Sequence, residues 1–244
     1  VDKAVLQQGT IYGECNQYVL EALQQYPNRL LGALHADPWR TEYRPEFDRM
    51  LATGMFSAVK IEFSHNTGLH GVHGDVRLDD EAIAWLWSAT RAMGVPLVLD
   101  LGTAGEPAYQ TDAVYTIAKN YSDLKIVIAH LGQPRKHVEK NDPGKWRLWQ
   151  GQIALGKLPN VWFDMASLPD WEEDFPYPSA EYWLKVAIDT MGPEKIMWGT
   201  DQPGTLQHQN YPTWLRLAQL HIAFLSEEEQ RLILGGTAQR VYGV

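Results

Sequence analysis

At 244 residues, 45% of them hydrophobic, the chain is long enough to bury one sizeable core, and a single α/β domain is expected over 1–244. A net charge of −9, with Lys and Arg scattered in short groups, excludes a nucleic-acid partner held by a basic face. The one cysteine, Cys15, excludes an intrachain disulfide and a Cys-rich metal cluster; no apolar run is long enough to cross a bilayer, and a reducing, cytoplasmic setting is expected.

In chain order, strand-like segments recur roughly every 30 to 40 residues with helix-like stretches between them, the alternation of a parallel α/β fold. Val1–Gln8 reads as a strand already in progress, and with no initiator methionine before it an upstream segment is expected. A helix over Cys15–Tyr26 is stopped by Pro27, Leu30–Ala36 is the next strand, and a helix over Pro45–Thr53 ends at Gly54. Ala58–Phe63 is a third strand, after which residues 64–77 read as a loop. Asp79 or Asp80 caps a helix reaching Met93, Gly94 follows its end, and Pro96–Leu101 is the fourth strand. The remaining strands are Lys125–Leu131, Asn160–Met165 and Lys195–Thr200, with helices over Asp112–Tyr121, Lys145–Leu155 and Ala180–Met191, the last capped by Ser179. Two helices close the chain, the final one opened by a Ser226–Glu229 capping box. Seven strands joined through helices predict a (β/α)8 TIM barrel with seven of its eight strands present and the first missing; an open doubly wound sheet is the alternative.

Lys125–Leu131 and Lys195–Thr200 run apolar and then present one ionisable side chain, His130 or Asp201, before a Gly or Pro turn. In parallel α/β folds the C-terminal strand ends carry the reacting groups, because the strand fixes the side chain while the backbone opens into loops. A histidine and an aspartate on two such ends can bind a divalent metal or share a proton; either alone can instead be structural, bonded to a backbone amide. By alternation Lys60 and Glu62 share a face, and Asp100 and Asp164 end the inward sets of their strands. With His35 these groups collect at one end of the strands. Burying them alone is costly, so mutual pairing or a metal ion is expected; each alone also has a bland explanation, such as Lys60 in a structural ion pair with Glu62 or a neighbouring acid. The 64–77 loop carries His65, His70 and His73, three of the eight histidines. They suit a substrate-facing role, with metal ligation or a solvated loop as alternatives, since the spacing lacks the i, i+4 pair of a helical zinc site. Trp198 is near enough in sequence to Asp201 to line a pocket wall, whereas Trp85, Trp87 and Trp162 read as packing.

AVKIEF (58–63), PLVLDLG (96–102), KIVIAHLG (125–132), NVWFDMASLP (160–169), IMWGTDQP (196–203) and GGTAQRVYG (235–243) together resemble the amidohydrolase-related, TIM-barrel metal-dependent hydrolases. That group includes aminocarboxymuconate-semialdehyde decarboxylase and the resorcylate-type decarboxylases. The resemblance covers essentially the whole chain and implies a divalent metal, commonly zinc, held by a His-x-His pair on the first strand, a histidine on the fifth and an aspartate on the eighth, with a sixth-strand histidine as acid or base. On that resemblance His130 is the catalytic histidine, Asp201 the metal-linked acid, and the expected metal ligands are Asp201, Asp100 and His130. Two departures stand out. The His-x-His pair has no counterpart, because Val1–Gln8 resembles the second strand, and Asp100 replaces the fifth-strand histidine. A carboxylate in place of an imidazole moves the preference from zinc toward manganese or magnesium. Substrate contacts are expected from Lys60, Glu62, His65, His70, His73, Asp164 and Trp198. The implied activity is hydrolysis of an amide, lactone or ester of a small molecule by a metal-activated water. Decarboxylation of a small carboxylated substrate is one alternative, and a truncated barrel that binds ligands without turnover is the other. The expected partner is a small-molecule substrate, with no nucleic acid and no membrane; a homo-oligomer is left open.

Overall fold

The computed structural model describes residues 2–244, with the side chains of 11 and 140 outside the description. Val1, the head of the first expected strand, lies outside the described residues. The chain divides into two compact units, one of residues 1–102 and 106–126, the other of 103–105 and 127–244.

The first unit runs β1 (Ala4–Leu6), α1 (Asn16–Gln25), β2 (Leu30–His35), α2 (Arg44–Leu51), β3 (Ala58–Glu62), α3 (Leu69–His73), α4 (Ala84–Met93), β4 (Leu97–Asp100) and α5 (Thr111–Asn120). Each strand pairs in parallel with the next, β1 to β2, β2 to β3 and β3 to β4. Ala33, Leu34, Ala58, Val59, Ile61, Leu97 and Leu99 are fully buried, as befits strands covered on both faces, where apolar runs replace alternation. Helix α1 turns Val19, Leu20 and Leu23 inward at helical spacing. It lies so close to β2 that a Cβ on Gly32 would meet Leu23 and Val19 at 2.8 Å. Helix α4 is entered through a 3-10 turn over Glu81–Ile83, whose first free amide, that of Ala82, donates to Asp80 Oδ1 at 2.9 Å; Gly94 ends it at φ 70°.

The second unit opens within β5 (Ile126–Ile128) and continues through α6 (Lys136–Asn141), α7 (Pro143–Ile153), β6 (Val161–Asp164), α8 (Ser179–Met191), β7 (Ile196–Met197), α9 (Tyr211–His221), α10 (Glu227–Arg231) and α11 (Thr237–Tyr242). Strands β6 and β7 pair in parallel, and Trp149, Trp183, Phe163 and Ile233 are fully buried.

Several boundaries differ from the sequence reading, each for a tertiary reason. Strand β5 stops at Ile128, and Ala129–Gly132 is a tight turn with His130 and Leu131 at φ 57° and 50°. The amide of His130 donates to Asp164 Oδ1 and the Trp149 indole donates to the Leu131 carbonyl, so these groups leave the strand ladder. Strand β7 has only two residues because the next amide, that of Trp198, donates at 2.8 Å to the carbonyl of Ile233, in a π turn over Leu232–Gly236. Ser179 does not cap α8; it begins the helix, and its amide and hydroxyl both donate to Glu173. The 64–77 segment contains α3, and α6 precedes the helix expected over Lys145–Leu155. The Ser226–Glu229 capping box is formed as expected.

Candidate active site

On the first unit the strand ends gather four of the expected residues. His35 is the register partner of Lys60, and Glu62 that of Asp100. Register partners in a parallel ladder present their side chains to the same face. His35, Lys60 and Asp100 keep 4%, 8% and 7% of their surface exposed, and Glu62 is half-buried. The backbone of His35 is clamped by Asn16, which accepts its N–H at 2.9 Å and donates to its carbonyl at 2.8 Å; Gln8 in turn donates to Asn16 Oδ1 and to the Ala33 carbonyl. Burial pushes the His35 imidazole below its ordinary pKa, against a hydrogen bond with the Lys60 backbone, and its Nδ1 is buried without a partner among the described residues. Glu62 Oε1 accepts from Thr67 Oγ1 at 2.7 Å, and Asp100 Oδ1 accepts from the Gly102 amide at 3.1 Å. Lys60 and Glu62 do not form the ion pair that their shared face allows. Among the described residues no carboxylate pairs with the Lys60 ammonium and no hydrogen bond leaves it.

Of the loop histidines, His70 is buried, His73 is half-buried and His65 is exposed. His65 and His70 face each other through Nδ1 at 3.2 Å, and the His70 ring stands edge-on to Phe63. Burial, and then His65, hold His70 below its ordinary pKa. His73 Nε2 bridges both oxygens of Asp37 at 2.8 Å with its ring against Trp39. Glycines make this approach feasible, since a Cβ on Gly71 would lie 2.1 Å from the His65 carbonyl oxygen. Sequence reasoning missed Asp37, Trp39 and Asn16. Asp37 could have been found from its place two residues beyond His35; Asn16, reaching from a helix to a strand end, left no local signal.

On the second unit His130 is fixed at both ends. Its amide donates to Asp164 Oδ1 at 2.9 Å, the same oxygen that accepts from the Ala166 amide at 3.0 Å, and its ring Nδ1 lies 3.0 Å from the Ala166 carbonyl. A carbonyl only accepts, so Nδ1 carries the proton of the neutral ring and Nε2 carries the lone pair. Asp164 thus positions His130 through the backbone. Asp201 lies four residues beyond β7 at φ 56°; its carbonyl accepts from the Thr205 amide at 3.3 Å, and the Thr205 hydroxyl closes the turn on the Thr200 carbonyl at 2.8 Å. The Trp198 ring stands edge-on to Tyr211 at 5.8 Å.

Strand ends carrying a fixed imidazole and several acids define an enzyme of the parallel α/β class. A family model described as amidohydrolase matches residues 1–244, and the chain belongs to that family. It is 28% identical over 127 residues to the L-fucono-1,5-lactonase of Burkholderia multivorans, a match covering 49% of this chain and 43% of that protein, so less than half of that relative's length is spanned. Among solved structures, a probable 2-pyrone-4,6-dicarboxylic acid hydrolase of Acinetobacter baumannii with citric acid bound superposes with a TM-score of 0.74 at 19% identity, over 100% of this chain and 84% of that one. The 5-carboxyvanillate decarboxylase of Novosphingobium aromaticivorans, complexed with manganese and 4-hydroxy-3-methoxy-5-nitrobenzoic acid, superposes with a TM-score of 0.67 at 17% identity, over 100% and 77%. These likenesses give the fold class, α/β of the amidohydrolase TIM-barrel type, here with seven strands among the described residues. No helix among the described residues is long and apolar enough to cross a membrane.

Among the described residues no group of three or more His, Cys, Asp or Glu stands together as a metal site requires, and no His-x-His pair is present in the sequence. Of the set expected from the resemblance, Asp100 stands on the first unit and His130 and Asp201 on the second.

Proposed function

We propose that the chain hydrolyses the ester bond of a small-molecule lactone, with His130 as the group that moves the proton. One observation carries this reading: the His130 ring is anchored through Nδ1 at the Ala166 carbonyl, and in that tautomer of the neutral ring Nε2 is the basic nitrogen. A water attacking the lactone carbonyl gives its proton to Nε2, and the same nitrogen returns it to the ring oxygen as the C–O bond breaks. The product is the open hydroxy acid, so lactone and water balance without a further reactant. Asp201, exposed four residues beyond β7 in a left-handed conformation, is assigned the second acid of the site. The printed activities of the Burkholderia lactonase and the Acinetobacter pyrone hydrolase support the lactone, since a 2-pyrone is itself a cyclic ester. The class of substrate extends to other esters and amides by the same chemistry. The wider resemblance implies zinc, and the Novosphingobium decarboxylase carries manganese, which supports a divalent ion for this site. The reading places the enzyme in the cytoplasm.

The test is a panel of 1,5-lactones and 2-pyrones followed by pH indicator and product chromatography, with zinc or manganese added and with chelator. Acid release with formation of the hydroxy acid is expected. Carbon dioxide release from carboxylated phenols in its place would make the protein a decarboxylase, and saturable binding without product would make it a ligand-binding barrel.

A further inference from the structure

On the second unit, the segments that lead out of β6 and β7 each carry one half of the proposed chemistry. Ala166, whose carbonyl anchors the His130 ring, stands at the head of the first, and Asp201 lies in the second. They leave the paired strands side by side, with the Met165 amide donating to the Met197 carbonyl at 2.9 Å. Farther along, an aromatic contact joins them again. His208, an exposed residue of the second segment, lies flat on Trp171 of the first, with ring centroids 3.8 Å apart and planes 6° from parallel. Trp171 packs against a small core of Tyr177, Trp214 and Leu217, and Gln209, next to His208, donates to the Tyr177 hydroxyl at 3.2 Å. Backbone bonds tie each ring to the group its segment serves. The His208 amide donates to the Thr205 carbonyl at 3.1 Å, and the Thr205 amide donates to the Asp201 carbonyl at 3.3 Å. Asp170, beside Trp171, accepts from the Lys136 amide at 2.8 Å, in the stretch that follows His130. An exposed imidazole stacked flat on an indole adds little burial, but it fixes the separation and tilt of the segments that carry the two rings.

We propose that the stack of His208 on Trp171 is a clasp that holds the Asp201 turn in register with the Ala166 segment, which makes His208 and Trp171 positioning residues for His130 and Asp201. The inference rests on the roles assigned to those two groups in lactone opening, but the clasp itself is read without turnover. Misplacing a reacting group by about 1 Å can cost roughly 10²-fold in rate, so a contact remote from the chemistry still bears on kcat. His208 acts through the flat face of its ring, and another planar ring of similar size serves in its place.

Amide hydrogen exchange at Thr205, followed by NMR, tests it together with kcat and KM for lactone opening, in the full chain and in the variants His208→Ala and His208→Phe, each checked by circular dichroism for an intact fold. In His208→Ala the Thr205 amide is expected to exchange about tenfold faster or more, and kcat to fall about tenfold with KM held within about twofold; His208→Phe restores both. Equal exchange in His208→Ala and the unsubstituted protein would overturn the clasp. A His208→Phe variant as impaired as His208→Ala would overturn it too, because the stack would then not be what matters. Faster exchange in His208→Ala at an unchanged kcat, in an enzyme that opens lactones, would overturn the positioning role. A protein that opens no lactone but whose Thr205 exchange rises in His208→Ala and is restored in His208→Phe would keep the clasp and dismiss the hydrolase reading.

Discussion

His130 sits in a left-handed conformation that a bulky residue adopts only when its surroundings impose it, and its neighbours supply the means: a carboxylate for its amide and a carbonyl for its ring. The ring's hydrogen bond to the Ala166 carbonyl is worth about 1 kcal/mol, and His130→Ala is expected to melt within a few degrees of the unsubstituted protein while kcat for lactone opening falls by roughly 10²–10⁴. Asp201→Asn is expected to abolish turnover with the fold intact, because Asn tolerates the φ of 56° and keeps the backbone carbonyl that receives the Thr205 amide. A variant that unfolds, or one that retains full activity, would remove Asp201 from the site. The buried histidines set the acid limit of stability. His35, His70 and His221 are all held below their ordinary value of 6.5, chiefly by burial. The unfolded chain therefore binds more protons than the folded one as pH falls below 6.5, and stability drops through that window until the folded pKa values are passed. The melting temperature is expected to fall between pH 7.5 and 5.5, and His35→Leu is expected to flatten the slope.

Asp164 shows how an element rather than a single side chain builds the site. It ends β6, yet its Oδ1 serves the amides of His130 and Ala166, tying the turn after β5 to the turn after β6. Asp164→Ala leaves both amides without that acceptor; a loss of about 1–3 kcal/mol in denaturant unfolding is expected, together with a fall in kcat, whereas a purely substrate-binding role would raise KM and leave stability alone. All seven strands were legible from apolar runs bounded by Gly and Pro, and the Ser226–Glu229 box from its spacing. Strand ends were not legible where a distant group captures the backbone: Asp164 and Trp149 end β5 early, and the Ile233 carbonyl takes the Trp198 amide that would have lengthened β7. The α8 start was misread for the same reason, since Glu173 satisfies Ser179 from outside the helix.

At the scale of the whole molecule, the family was legible because strand-end motifs such as KIVIAHLG and IMWGTDQP combine an apolar run with one ionisable residue, a pattern that packing alone does not require. Lys60 and His35 were legible as strand-end residues from alternation, but the missing ion pair of Lys60 was not, because which acid a lysine meets depends on partners such as Thr67 and His73 that claim those acids first. For the metal donors, parity fixes only the strand end they share; among the described residues no group of three stands together. The central claim, lactone opening with His130 moving the proton, is tested most directly by steady-state hydrolysis of a lactone panel by the unsubstituted protein and by His130→Ala, with product identified by mass. The account predicts addition of one water to give the hydroxy acid, at a rate lowered roughly 100-fold or more in His130→Ala with the melting temperature preserved; an equal rate in the variant, or loss of carbon dioxide from a carboxylated substrate with no lactone opened, would contradict it.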